Sequence, residues 1–506
     1  MTSPRPTQMR IHGFAIAVAS ATIAIATPTV GAQNSTAAPA GTTVLSLADA
    51  IALARRNNPT YQTSLNARSN AAAVVRAANG ALLPSVSTSA SGGYREGRQT
   101  FFQGQAFGST NNQLSTDVSA SASLNISASA LNDRRAALGS QRATEADITS
   151  AEQRVKNDVT TQYLTALQAQ TRAALQDTLV ATTALQLQLA RARLQVGAGT
   201  QLDVQRAEVA DGQQRVAALN QRNQAAIEVV RLFQAIGVAP VIGARLDNNL
   251  PATPAIELNA MLDMARKSNP ALEGFRARED VSERNLASAR SAYIPSFSLN
   301  ASVSGFTNRF TDTDLLLAQG QASTASAKSS CIRSEEVRAA VGLQNSLSGC
   351  NAIAFTPASE QSIRDAQGKY PFGYTRNPYS LSAQFSLPIF NGFRREQQIE
   401  QASVSRRNAE NDVRGQELRV AADVTAAYLT LTTAQQTVAL QIQNVASARS
   451  ALALAQERYR VGLASIVDLQ QARGDYERAE TDRITAIYDV QRAFTTLEAA
   501  VGRPLR

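Results

Sequence analysis

The chain has 506 residues, 44% apolar, 5% aromatic and 18% charged, with a formal net charge of +9, one His, two Cys and no Trp. The single histidine is His12, near the N-terminus, and two thiols alone cannot complete a thiolate metal site. Composition therefore argues against Ser/His/Asp or Cys/His catalysis, histidine-ligated zinc and haem, and no catalytic residue, cofactor or metal ligand is assigned.

Residues 1–32 read as a cleaved secretory signal peptide. Arg5 and Arg10 form the basic region, 14–26 is apolar, and Val30-Gly31-Ala32 supplies small residues before a cut at Gln33. The apolar stretch falls short of the roughly 20 residues that span a bilayer. No 18-residue apolar run follows, so any entry into a membrane must be by strands. No cysteine follows the cut, so an N-terminal lipid anchor is not expected.

Beyond the signal the chain is duplicated. Leu47-Ala-Asp-Ala-Ile-Ala-Leu-Ala-Arg-Arg-Asn-Asn-Pro59 recurs as Leu258-Asn-Ala-Met-Leu-Asp-Met-Ala-Arg-Lys-Ser-Asn-Pro270, an offset of 211. Further on, Tyr163-Leu-Thr165 recurs as Tyr428-Leu-Thr430 and Ala235-Ile-Gly237 as Ala500-Val-Gly502, an offset of 265. The second half thus carries 54 extra residues. The repeats are 33–237 and 256–506, joined by a proline-marked connector, 238–255.

Each repeat reads helix, strand, strand, long helix, helix. Pro59 and Pro270 split the opening helices, and Pro84 and Pro295 end them. In the first repeat a β-hairpin is expected over about 85–131, a long helix over about 134–196 and a helix over about 201–236. The second has a β-hairpin over about 296–390 with a long loop at about 306–375, then helices over about 394–461 and 466–502. The strands alternate strictly: Val118, Ala120, Ala122, Leu124 and Ile126 interleave with Ser and Asn, as do Phe297, Leu299, Ala301 and Val303. One face is apolar and the other is polar but nearly uncharged, and the chain's sparse aromatics gather in these segments, as in membrane strands with a watered lumen.

Four strands cannot close a transmembrane barrel, and an open edge in lipid leaves backbone groups unsatisfied. Spanning therefore requires oligomerisation: two copies give eight strands and three give twelve. In the long helices Leu431, Val438, Val445, Leu452 and Tyr459 recur every seven residues, and Ala472, Ala479, Ala486, Ala493 and Ala500 form a stripe of small residues. Narrow stripes beside Gln, Thr and Arg faces fit a hollow coiled-coil barrel better than a solid bundle. The arginines, as at Glu477-Arg478 and Asp482-Arg483, are interspersed with acids and do not form a nucleic-acid patch.

These residues resemble the TolC-type outer-membrane efflux and secretion family. Phe385-Ser-Leu-Pro-Ile-Phe390-Asn-Gly392 is similar to its strand-to-helix transition, with Ser127-Ala-Ser-Ala-Leu-Asn132 as a degenerate copy. Arg458-Tyr-Arg-Val-Gly-Leu-Ala-Ser-Ile-Val-Asp468 and Arg193-Leu-Gln-Val-Gly-Ala-Gly-Thr-Gln-Leu-Asp203 resemble its two helix-hairpin tips. The resemblance implies an α+β membrane protein of the outer membrane extending into the periplasm. It implies a homotrimer with a shared 12-stranded β-barrel in lipid, a helical periplasmic tunnel with an iris, and docking to a periplasmic adaptor and an inner-membrane pump.

At the tips Asp203 and Asp468 stand three residues after Thr200 and Ser465, the spacing of a capping box. The resemblance adds a gate role for Asp203, Tyr459 and Asp468, with an acidic ring of Asp468 at the entrance. Ala464 and Gln471 depart from the family, which can carry a gate arginine and a second acidic ring there. The extra residues fall mostly in the second hairpin's loop, which barrel topology places outside the cell. It holds Cys331 and Cys350, an even pair suited to a disulfide in an oxidising compartment. The rival functions are a coiled-coil structural protein and a hydrolase using paired carboxylates. Neither accounts for both the strands and the duplicated helices.

Overall fold

The computed structural model describes residues 44–505 apart from 98, 104, 110, 242, 250–253 and 345, so the expected signal at 1–32 lies outside the described residues. The first repeat runs β1 (Val44–Leu45), α1 (Leu47–Asn57), α2 (Pro59–Gly80), β2 (Ser85–Arg95), a small hairpin β3 (Gln99–Phe102) and β4 (Gln105–Ser109), β5 (Gln113–Ile126), α3 (Ala128–Gln195) and α4 (Gln201–Ile236). The second runs β6 (Arg245–Leu246), α5 (Leu258–Ser268), α6 (Pro270–Arg290), β7 (Ser296–Phe310), α7 (Thr313–Ala340), α8 (Leu347–Asn351), α9 (Pro357–Gly368), β8 (Thr375–Arg376), β9 (Ser380–Ser386), α10 (Arg394–Arg460) and α11 (Ile466–Val501).

One boundary differs from the sequence reading. Helix α3 starts at Ala128 because the Ser127 side chain accepts the Ala130 N–H, a cap placed before the apolar periodicity begins. The long hairpin loop at about 306–375 contains three helices, α7, α8 and α9. Its α7 is rich in Ala, Ser, Gln and charged residues and is capped by Asp312, whose carboxylate accepts the Leu315 N–H at 3.1 Å. It lacks the wide apolar stripe that would reveal a helix in the sequence.

The four main strands form one antiparallel sheet in the order β2-β5-β7, with β8 and β9 successive along the far side of β7. Register sorts the side chains. Val86, Ala122, Ala301 and Leu381 share one row, and Ile126, Phe297 and Phe385 another, all on the apolar face. The rows between are polar, mostly serine with Asn125, Asn300 and Gln384. Ser85 and Ser123, Ser87 and Ser121, Ser89 and Ser119, and Ser302 and Ser380 pair through their hydroxyls at 2.7 to 2.9 Å. From the Leu114 row to the Ile126 row is about 40 Å of strand. Among the described residues the outer edges, β2 and β9, have no strand partner.

Below the sheet, α3 pairs with α4 and α10 with α11, while α11 packs on α3, so the helices lie in the order α4-α3-α11-α10. Helix α6 lies between α3 and α10, and α2 lies on α3. The heptad residues Leu431, Val445, Leu452 and Tyr459 are buried. Gly139, the single glycine of α3, is where α6 approaches: a Cβ there would come within 2.9 Å of the Val281 Cγ2.

The repeated motifs turn out to be contact partners. Asn58 caps α2 by accepting the Tyr61 N–H and also donates to the Ala235 carbonyl at 2.8 Å. Asn269 caps α6 in the same way and donates to the Ala500 carbonyl at 2.9 Å. Each Asn-Pro hinge is thus pinned to the glycine-capped end of its repeat's last helix. Gly237 (φ +87°) and Gly502 (φ +86°) leave no room there. A Cβ on Gly237 would lie 2.6 Å from the Asn57 carbonyl oxygen, and one on Gly502 would lie 2.5 Å from the Pro270 Cδ.

Candidate functional site

The two long hairpins end in similar turns. Gly197 (φ +73°) and Gly462 (φ +81°) take the left-handed conformation that reverses the chain, with Ala198 N–H donating to Arg193 and Leu463 N–H to Arg458, both at 2.8 Å. The next helices start with full capping boxes. The Thr200 Oγ1 accepts the Asp203 N–H at 3.2 Å, and the Asp203 carboxylate accepts the Thr200 N–H at 3.0 Å. Ser465 and Asp468 repeat those two distances.

These bonds set the acids' chemistry. The Thr200 hydroxyl, then its N–H, hold Asp203 below the ordinary carboxylate range. At Asp468 the Ser465 N–H and then its hydroxyl do the same. Each carboxylate serves its own tip, and among the described contacts neither bonds across to the other hairpin.

Tyr459 is placed differently. It is 4% exposed and packs with Leu452, Ile466 and Leu469 inside the second tip. Burial, followed by the charge of Asp203, raises its phenol, while Arg193 acts in the opposite sense. The structure therefore brings Tyr459 beneath Arg193, and leaves Asp203 and Asp468 as caps on either side.

Arg193 is the residue the sequence reading passed over. From the last turn of α3 its guanidinium donates to the Tyr459 carbonyl of the other hairpin and, at 2.9 Å, to the Ala198 carbonyl of its own. Its Cζ lies 4.8 Å from the centre of the Tyr459 ring. The only sequence signal is its repeat position: it matches Arg458, whereas Tyr459 matches Leu194. One repeat contributes the cation and the other the aromatic ring.

Above the tips the α3–α11 seam is polar. Gln176 donates to Glu477 at 2.9 Å, Arg172 to the Thr485 hydroxyl at 2.6 Å, and Arg492 to Gln168 at 3.0 Å. The carboxylates of Asp211, Glu228 and Glu480 are buried but engaged by arginine and by hydroxyl or amide donors. These are structural ion pairs, two along α4 and one on α11. Among the described residues no group of three or more His, Cys, Asp or Glu could hold a metal, and no helix is long and apolar enough to cross a membrane. At the opposite end, in the helical insertion between β7 and β8, Cys331 on α7 and Cys350 on α8 form a disulfide with Cα atoms 5.5 Å apart.

A family model described as outer membrane efflux protein matches residues 50–238 and 353–503. Among solved structures, a membrane protein from Pseudomonas aeruginosa is similar at a TM-score of 0.67 and 19% identity, over 90% of both chains. The outer membrane protein VceC of Vibrio cholerae gives 0.64 and 14%, over 91% of this chain and 97% of its own. The CmeC outer membrane channel of Campylobacter jejuni gives 0.64 and 15%, over 90% and 85%. At these identities the likeness is one of fold. No curated protein sequence matches the chain.

Proposed function

The chain belongs to the outer membrane efflux protein family, whose members are channels and not enzymes, and from that premise we propose that three copies form the exit duct of a tripartite export system. The observation that carries this reading is the pair of unpartnered edges. Strands β2 and β9 offer open backbone donors and acceptors, which lipid does not tolerate. In the helical layer, outermost α4 exposes Leu202, Val209 and Val216 at heptad spacing, and α10 exposes Leu418, Leu429 and Leu440. Both kinds of edge are satisfied when one copy's β9 and α10 meet the next copy's β2 and α4, a head-to-tail contact that closes as a ring.

Copy number follows from the barrel. Two copies give eight strands, an interior that side chains fill, whereas twelve leave a conduit. The serine face then lines the lumen and the apolar face meets lipid, with the cysteine-bearing insertion on the external side. The helices extend into the periplasm, their tips forming the iris with Asp203, Tyr459 and Asp468, and Arg193 joining the hairpins. A periplasmic adaptor and an inner-membrane pump engage that end, for drug efflux or type I protein secretion. The coiled-coil alternative leaves the amphipathic sheet unexplained. The test is to purify the protein from outer membranes, determine its mass in detergent and record single channels. A monomer, or a trimer that conducts nothing even with altered tips, rules the duct out.

A further inference from the structure

One surface of the second repeat lacks what the first repeat carries there. In the first repeat the connector after α4 returns as an extended segment over the α3–α4 hairpin, and three groups read its backbone. Strand β6 pairs in parallel with β1, Leu246 against Leu45, and the Asp247 N–H donates to the Leu45 carbonyl at 3.1 Å. The Tyr163 hydroxyl faces the Leu45 and Asp247 carbonyls. Gln170 donates to the Ala244 carbonyl at 3.1 Å and accepts the Leu246 N–H at 3.4 Å. Ala244 and Leu246 are buried, and Arg245 between them is exposed.

The second repeat keeps these readers without the segment. At the fixed offsets Tyr163 corresponds to Tyr428, Gln170 to Gln435 and Leu45 to Ile256. Among the described residues the Tyr428 hydroxyl and the Gln435 amide have no hydrogen-bond partner, and Ile256 pairs with no strand. The groove beside them is more apolar than its counterpart. Asp177 and Arg222, an ion pair at 2.7 Å in the first repeat, correspond to Ile442 and Ile487, and Ala173 corresponds to Val438. Ile442 is 54% exposed. At about 100° per residue, Gln435, Val438 and Ile442 lie on the side of α10 opposite Leu429 and Leu440, so a seam between copies through those leucines leaves the groove open.

We propose that this groove is a docking slot for an extended strand of a partner polypeptide, added in parallel beside Ala255-Ile256. The filled slot of the first repeat defines the ligand: a small residue and a large aliphatic two positions apart, as Ala244 and Leu246 are, with the residue between them facing solvent. Gln435 bonds the carbonyl and N–H on either side of that exposed residue, and Tyr428 bonds the carbonyl one residue beyond the aliphatic. Ile442 and Ile487 select a further apolar side chain upstream, where Val241 lines the cavity beside Asp177 and Arg222 in the first repeat. The slot follows from the internal repeat and not from conduction.

The probe is a fluorescein-labelled peptide of the chain's own residues 241–249, titrated by anisotropy into the full-length protein in mild detergent. Saturable binding at one site per chain is expected. Tyr428→Phe/Gln435→Ala, which removes both polar readers, weakens it by about tenfold with thermal unfolding unchanged. Ile442→Arg in the protein, or Leu246→Asp in the peptide, abolishes it. No saturable binding, as when a second copy already fills the slot, overturns the proposal. Binding that Tyr428→Phe/Gln435→Ala and Ile442→Arg both retain at full strength overturns it equally, because the peptide then sits elsewhere.

Discussion

Arg193 concentrates at one guanidinium what the tips need to stay together: two carbonyls on different hairpins and a ring to stack on. Arg193→Ala removes all three, at a cost on the order of 1–2 kcal/mol for a partly exposed site. Single-channel recording should show a larger resting conductance, with Arg193→Lys intermediate because it keeps the charge but loses the planar fork. An unchanged conductance excludes Arg193 from closure. The capping acids give a pH prediction. Their folded pKa values lie below the ordinary aspartate value, so the stability they contribute is present above that value and is lost as pH falls through the lower one. Below about pH 4 the first turns of α4 and α11 should fray by hydrogen exchange, and Asp203→Asn/Asp468→Asn should abolish that pH response. Tyr163 behaves in the opposite sense. Its buried hydroxyl lies 2.9 Å from the Leu45 carbonyl and 2.8 Å from the Asp247 carbonyl, and burial pushes its pKa up to about 12. Its contribution is complete below about pH 10 and is lost as pH rises through about 12. Tyr163→Phe should lower stability by about 1–2 kcal/mol in urea unfolding and remove that alkaline step.

Among elements, the Asn-Pro hinges matter most. Each one starts a helix, caps it and pins it to the glycine end of another, so three segments meet at one side chain. Gly237→Ala combines left-handed strain with a backbone clash against Asn57, and should cost about 2–4 kcal/mol in thermal or denaturant unfolding. Gly212→Ala, where nothing lies within 4 Å, is the control and should be neutral or slightly stabilising. The sheet shows a different kind of economy. Its polar face is made mostly of serine hydroxyls, several of them paired across strands, with Asn125, Asn300 and Gln384 among them and Asp117 and Arg95 as its charges, while the opposite face carries the apolar side chains.

For the whole molecule, closure is the governing requirement. A sheet with two bare edges and a helical layer with two apolar edges cannot be stable alone in a membrane, and the two sets of edges lie on the same sides of the chain. Leu429→Glu/Leu440→Glu places charges on the outer stripe of α10 without touching the buried heptad. If three copies assemble as proposed, it should shift the species in mild detergent from trimer towards monomer, read by light scattering. If the double variant stays fully trimeric, the α4–α10 seam is not the interface.

The strand pattern, the duplication and the long helices were legible because each leaves a period in the sequence: two for half-wet strands, seven for packed helices, and fixed offsets for the repeats. Pro59, Pro270, Gly237 and Gly502 were visible as punctuation for the same reason. The helical insertion was hidden, since α7 buries too little to write a stripe and is read only through its cap and propensity. Arg193 was hidden because its partners, the Tyr459 ring and carbonyl, are 266 residues away, and no local pattern encodes a contact across a repeat. The family resemblance grouped Asp203, Tyr459 and Asp468, and in the fold the two acids cap α4 and α11 while Tyr459 is buried beneath Arg193. Periodicity is a property of a chain against a face and survives in one dimension. Which residue of one hairpin lies over which of another depends on how two helices of nearly 70 residues align, and only their packing fixes that.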